Sequence, residues 1–118
     1  MSKPTMMIVQ RMKRSERDVY KRAQKYYMIV SAVNELALTE REIQLVAFTA
    51  VRGNISYSNN RQEFCELYKS SPPTINNIIS KLKKIGLLTK VDGKVKVNPV
   101  VQLNFNLDVT LEIKLVHE

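Results

Sequence analysis

The segment from Ser71 to Gly86 most constrains how this chain can fold. Its apolar residues recur three or four positions apart, the period of an amphipathic helix with one buried face; they are Ile75, Ile78, Ile79, Leu82 and Ile85. Ser71 is a favourable N-cap, and Pro72 suits the first helical position, where an N–H would have no partner. Gly86 is a typical helix stop. We therefore predict a helix here with its apolar stripe in the core.

A β-hairpin is predicted directly after this helix. Two short alternating runs, 88–91 and 94–97, flank Asp92-Gly93. A two-residue loop of this kind tolerates the positive φ angles that a tight hairpin turn needs. Pro99 then ends the ladder, because proline cannot donate a ladder hydrogen bond.

Three further helices are predicted upstream. Apolar groups at helical spacing indicate one helix over about 16–36. Thr39 and Glu42 form a capping-box signature for a second helix, which begins near Glu40 and ends at Gly53. A shorter helix follows over 61–69. The serine- and asparagine-rich residues 54–60 are typical of a surface loop, although a short strand near 55–57 is also compatible.

The carboxy-terminal residues alternate strictly between apolar and polar from Val101 to Leu115. This period indicates β-structure with one dry face. The run exceeds the usual strand length, so we expect a bend near 106–108 that makes two strands. The alternative is one extended arm that pairs with another chain.

Basic side chains concentrate in two zones of a chain whose net charge is +8. Residues 1–26 carry eight basic and two acidic side chains, and residues 81–96 carry six basic and one acidic. A field of this sign attracts polyanions. Residues 6–9 are compatible with a short strand, but the composition of residues 1–15 favours a mobile basic arm.

The order of the predicted elements from about residue 36 to 100 resembles the winged helix-turn-helix family. The stretch from Ser80 to Lys90 resembles a recognition helix that runs into its wing in MarR-like regulators, and the hairpin with Asn98-Pro99 is similar to the wing of RepL-type plasmid replication initiators. The two successive prolines, Pro72 and Pro73, depart from the family, whose turns often carry a small residue there.

The resemblance implies a winged helix-turn-helix, and the periodic residues on either side of it add a long N-terminal helix and an extra C-terminal β-hairpin, so the predicted fold is α+β. The residues from Val101 onward and the basic arm have no counterpart in the resemblance. After the arm at 1–15, a single domain would span 16–118. Its helix-turn-helix would cover 61–86, its wing 87–98 and its C-terminal strands 100–116.

The candidate DNA-contacting residues fall in three groups. When the isoleucine stripe faces the core, one group lies on the outer face of the predicted recognition helix: Ser71, Thr74, Asn76, Asn77, Ser80, Lys81 and Lys84. Asn can pair with adenine and Lys can reach guanine or phosphate, which is the chemistry of major-groove readout. The wing would contribute Lys90, Lys94 and Lys96. The arm and first helix would contribute Arg11, Lys13, Arg14, Arg17, Lys21, Arg22 and Lys25. Solvated faces and a solubilising tail are the structural alternatives.

Catalysis, metal binding and cofactor binding are not expected. The chain has one cysteine, Cys65, and one histidine, His117, which lies at the frayed end, so we expect neither a Ser-His-acid arrangement nor a four-thiolate or histidine-rich metal site within one chain. Three glycines give no phosphate-binding loop. Without a possible internal disulfide or an apolar run long enough for a membrane span, we expect a cytoplasmic protein of a bacterial or phage-infected cell, or a virion component.

Two functions follow as hypotheses. The first is sequence-specific binding of double-stranded DNA by a homodimer that acts as a transcriptional regulator or as a phage- or plasmid-type replication initiator. The second is a phage structural or adaptor protein that binds a protein partner through its C-terminal strands.

Overall fold

Four α-helices and two antiparallel strand pairs form the part of the chain that the computed structural model describes, residues 5–8, 18–107 and 111–114. The architecture is therefore α+β. The elements are β1 (Thr5–Ile8), α1 (Val19–Val33), α2 (Glu40–Arg52), α3 (Ser58–Tyr68), α4 (Pro72–Lys84), β2 (Leu88–Val91), β3 (Lys94–Val97) and β4 (Leu111–Lys114).

Helix α2 is the centre of the core, and its predicted ends are confirmed. The Thr39 hydroxyl accepts from the Glu42 N–H at 3.2 Å, and the Glu42 carboxylate accepts from the Thr39 N–H at 2.8 Å, which completes the capping box. Every residue from 45 to 50 is buried, so the helix packs on more than one face. Gly53 ends it with a φ of 96°.

Helix α4 confirms the predicted apolar stripe except at its last member. Four of its apolar side chains are buried: Ile75, Ile78, Ile79 and Leu82. Ser71 is the N-cap and Pro72 occupies the first helical position. Ile85 is instead 40% exposed, because the helix ends at Lys84 and the chain reverses at Gly86, whose φ is +85°. The Leu87 N–H then donates to the Leu82 carbonyl at 3.0 Å and closes the helix end.

Strands β2 and β3 form the predicted hairpin. Leu88 pairs with Val97 and Val91 with Lys94. Asp92 and Gly93 both have positive φ, at 52° and 78°, as the tight turn that matches strand twist requires.

The region before α3 differs from the predicted surface loop. Helix α3 begins at Ser58, one turn earlier than expected, and both Asn54 and Asn60 are buried. The Asn60 amide donates to the Asn54 carbonyl at 3.0 Å, and the Asn54 side chain accepts from the N–H of Ser56. The asparagines thus build a buried turn. Ile55 gives one backbone hydrogen bond to Val95 at 3.0 Å and no strand.

The predicted C-terminal strands at 100–116 are wrong over their first half. A short 3-10 helix, Pro99–Val101, leads into an irregular segment that runs to residue 107. The side chains of Val101, Leu103 and Phe105 still pack inward. Two backbone carbonyls of this segment, however, accept hydrogen bonds from side chains of α1 and not from a neighbouring strand. The Tyr27 hydroxyl donates to the Val101 carbonyl at 2.8 Å, and the Arg22 guanidinium donates to the Phe105 carbonyl at 3.0 and 2.6 Å.

The remaining strand, β4, pairs antiparallel with β1 instead of forming a C-terminal hairpin. Ile8 lies opposite Leu111, and Thr5 lies opposite Lys114. The expectation of a mobile arm over 1–15 is therefore wrong for Thr5–Ile8. The physical reason is that an alternating strand needs a backbone partner, and the amino-terminal run supplies it.

Removal of the Tyr27 hydroxyl should destabilise the fold. In Tyr27→Phe the Val101 carbonyl loses its donor beside a fully buried ring, so we expect the free energy of unfolding to fall by about 1–2 kcal/mol. Tyr20→Phe is the matched control, because the Tyr20 ring stacks on Phe48 while its hydroxyl has no hydrogen bond to the residues described. Urea denaturation measures both; equal losses would contradict this role of the Tyr27 hydroxyl.

Candidate nucleic-acid interface

The exposed face of α4 has a central strip formed by Asn77, Ser80 and Lys84. Helical spacing places these residues opposite the buried isoleucine stripe, and all three are exposed. None of these three side chains has a hydrogen bond or ion pair with another described residue. The central strip therefore presents an amide, a hydroxyl and an ammonium group to solvent, with both donors and acceptors available.

One flank of the central strip is tied to α2. The Lys81 ammonium lies 3.0 Å and 2.8 Å from the two carboxylate oxygens of Glu42. The Lys81 side chain is 48% exposed, but that of Glu42 is only 8% exposed. The structure thus uses Lys81, a predicted base contact, to hold α4 against the start of α2.

Burial and two neighbouring residues, Lys81 and Thr39, determine the ionisation of Glu42. Burial alone would raise the pKa of its carboxyl, but the hydrogen bonds from Lys81 and from the Thr39 backbone, together with the charge of Lys81, hold that pKa below its usual value. The carboxylate is therefore charged at neutral pH, which keeps the ion pair intact.

The other flank is tied to α3. The Arg61 guanidinium donates to the Asn76 side-chain oxygen at 2.7 Å and, through Nε, to the Ile55 carbonyl at 3.0 Å. Asn76 remains exposed. Its amide is consequently oriented by a neighbour and does not rotate independently.

At the start of α4 the predicted contacts Ser71 and Thr74 are exposed and face each other. Their hydroxyl oxygens lie 3.0 Å apart, and the Ser71 hydroxyl accepts from the Thr74 N–H at 3.5 Å. Ser71 therefore serves first as the N-cap of α4.

The hairpin lysines divide between the two faces of the sheet. Lys94 and Lys96 lie on the face of the hairpin that points away from the core. Lys90 lies on the opposite face, which it shares with the buried Val95, but the Lys90 side chain itself is exposed. The Lys94 ammonium sits 4.9 Å from the centre of the Tyr57 ring, a cation–π distance. The three predicted wing contacts thus do not form one surface.

The predicted basic surface of the arm and first helix is only partly described. Lys21 is exposed on α1 and Lys25 is half-buried. Arg22 is engaged by the Phe105 carbonyl, so its guanidinium stabilises the fold. The other four residues lie outside the described part of the chain: Arg11, Lys13, Arg14 and Arg17.

Comparison with protein-family models, with curated proteins and with solved structures gives no match. The resemblance to winged helix-turn-helix proteins therefore stays a prediction. Within the described ranges, no helix combines the length and apolar character needed to cross a membrane, and no three His, Cys, Asp or Glu side chains lie together as metal ligands.

Sequence reasoning missed the three residues that orient the candidate contacts. Glu42 was assigned only to the capping box, and Arg61 and Tyr57 were assigned no contact role. Their partners lie 39, 15 and 37 residues away along the chain, and local patterns carry no signal for such pairs.

Loss of Lys81 should cost more stability than loss of the Glu42 charge. Lys81→Met leaves a buried carboxylate without its cation, so we expect a loss of about 1–3 kcal/mol. Glu42→Gln retains an acceptor for the Thr39 N–H and leaves Lys81 to water, so we expect a loss below about 1 kcal/mol. Chemical denaturation at pH 7 measures both variants; the reverse order would contradict the proposed tie.

The same pair predicts an acid limb of stability. Because folding lowers the pKa of Glu42 below its usual 4.5, the charged carboxylate stabilises the fold above that pH. This contribution is lost as the pH falls through the lowered value. Glu42→Gln should therefore show a shallower decline in melting temperature below pH 4.5 than the unaltered chain, and an identical decline would contradict the assignment.

Proposed function

We propose that this chain binds double-stranded DNA sequence-specifically, with α3 and α4 as a helix-turn-helix, α4 in the major groove and the β2–β3 hairpin as a wing. The observation that carries the proposal is the central strip of α4. Its three polar side chains are exposed and unbonded within the described residues, on a helix whose opposite face is buried. A recognition helix needs both properties, because its base contacts require a fixed helix and free side chains.

Charge around the central strip supports the same orientation. Lys83 and Lys84 lie exposed in the last turn of α4, and the hairpin continues with Lys90 on one face and Lys96 on the other. Lysines beside a groove-reading helix would contact phosphates and supply most of the salt-sensitive affinity. The biological role proposed is that of a transcriptional regulator or a replication initiator.

Two substitutions on α4 should separate base contacts from phosphate contacts. Lys84→Ala should weaken binding to all duplexes and make the log–log salt dependence of the affinity shallower by about 1. Asn77→Ala should instead reduce the preference for the selected sequence by about 5- to 150-fold. Asn106→Ala is the control, since Asn106 is an exposed amide in the segment that packs on α1.

Fluorescence anisotropy on a selected duplex and on a scrambled one measures these effects. An affinity that does not change with salt would refute DNA binding altogether. Equal effects of Asn77→Ala and Asn106→Ala would remove the central strip from the recognition surface.

We propose further that the chain acts as a homodimer through the outer face of α1. Met28 and Val33 are exposed there, at 55% and 58%. A two-fold dimer would present its two copies of α4 to successive major grooves about one DNA turn apart. This two-fold symmetry favours a second copy of the chain as the partner that covers the outer face of α1.

Met28→Glu should shift a dimer toward monomer, because it places a charge in the proposed interface. Sedimentation equilibrium measures the shift, and Lys69→Glu, at an exposed position at the end of α3, serves as the control. A monomeric unaltered chain at 100 µM, which is roughly a hundred times a micromolar dissociation constant, would refute the dimer.

A protein-binding role is the second candidate. β1 and β4 form a two-stranded sheet that has no third strand among the described residues, so both outer edges can accept another strand. This adaptor role predicts a large or ring-shaped oligomer that ignores duplex DNA.

A further inference from the structure

The contact between Arg61 and Asn76 has a defined donor and acceptor. A guanidinium group carries only N–H donors, so the atom of Asn76 at 2.7 Å must be the amide oxygen. The orientation of the amide is therefore settled by chemistry, and both N–H groups of its nitrogen point away from Arg61.

Arg61 is itself held in place. Its Nε donates to the Ile55 carbonyl at 3.0 Å, on the backbone that borders β3. Two of its five N–H groups are thereby engaged, and the other three have no partner among the described residues. The guanidinium is anchored beside the first turns of α4 with donors still available.

These two side chains together present a surface made of donors. The Asn76 nitrogen and the remaining Arg61 N–H groups are the polar side-chain atoms of the pair that have no partner among the described residues, and the one side-chain acceptor of the pair already receives a hydrogen bond. Asn76 is exposed in the amino-terminal half of α4, which is the part of a recognition helix that meets base edges.

We infer that Arg61 and Asn76 act as one composite contact that selects guanine in the major groove, an inference that rests on the proposed DNA binding. Guanine presents two acceptors, N7 and O6, on its major-groove edge. Adenine presents one acceptor and one amino donor, and that donor would have to share the Asn76 oxygen with Arg61 while facing a cation. The pair therefore disfavours the adenine contact that an unpaired asparagine makes.

Selection of bound sequences from a random duplex library tests the inference. The proteins compared are the unaltered chain, Arg61→Lys, Asn76→Asp and Asn77→Ala. Arg61→Lys keeps the charge but lacks the planar fork that can reach both Ile55 and Asn76. Asn76→Asp keeps the acceptor for Arg61 and removes both amide donors. Asn77→Ala is the matched control on the central strip.

The unaltered chain should enrich a G·C pair at one position of the site. Both Arg61→Lys and Asn76→Asp should reduce the discrimination against A·T at that position by about 5- to 150-fold. Asn77→Ala should relax a different base pair. Thermal unfolding shows whether Arg61→Lys is folded; if it is not, Asn76→Asp decides, since Asn76 is exposed.

Four outcomes overturn the inference. If Asn76→Asp reduced the preference for an A·T pair, the asparagine would read adenine independently of Arg61. A folded Arg61→Lys that leaves every base preference unchanged would remove Arg61 from the contact. Failure of the unaltered chain to enrich any sequence would overturn the proposed function and this inference together, whereas enrichment without a relaxed guanine overturns only the composite contact.

Discussion

Burial of the isoleucine stripe of α4 fixes the direction of every candidate contact on that helix. Ile75 and Leu82 are fully buried, and Ile78 and Ile79 are nearly so. Full burial of such side chains is worth about 1.5–3 kcal/mol each, a large share of the 5–15 kcal/mol by which a domain is typically stable. A rotation of α4 by one residue would expose part of this stripe, so the outward position of Asn77 is a consequence of apolar packing.

The two polar ties on the flanks of α4 add precision to that packing. A half-buried ion pair and a single hydrogen bond each make a modest net contribution to stability, so the value of these two ties lies largely in geometry. Lys81 reaches α2 through Glu42, and Asn76 reaches α3 through Arg61. The helix is therefore restrained on both sides, and Lys81, which looks like an independent base contact in the sequence, is a positioning group in the structure.

Elements with local signals could be predicted from the sequence, and elements that depend on distant partners could not. The capping box at Thr39, the stop at Gly86 and the Asp92-Gly93 turn depend on residues a few positions apart, and all three are confirmed. The alternation correctly predicted that Val101, Leu103 and Phe105 pack inward, but Leu107 is exposed, and Tyr27 and Arg22 take the place of a strand partner. The Arg61–Asn76 contact was unpredictable for the same reason.

The contacts of Arg22 illustrate that a count of basic residues does not give the number of side chains available for binding. Its guanidinium donates twice to the Phe105 carbonyl and ties the segment after the hairpin to α1. A charge used in this way still contributes to the long-range field, which depends on position alone, but its Nε and one terminal nitrogen are committed to a carbonyl of the fold. In the proposed binding to DNA, the net charge of +8 would therefore govern the encounter, whereas the number of counterions released would depend on the exposed lysines of α4 and the hairpin.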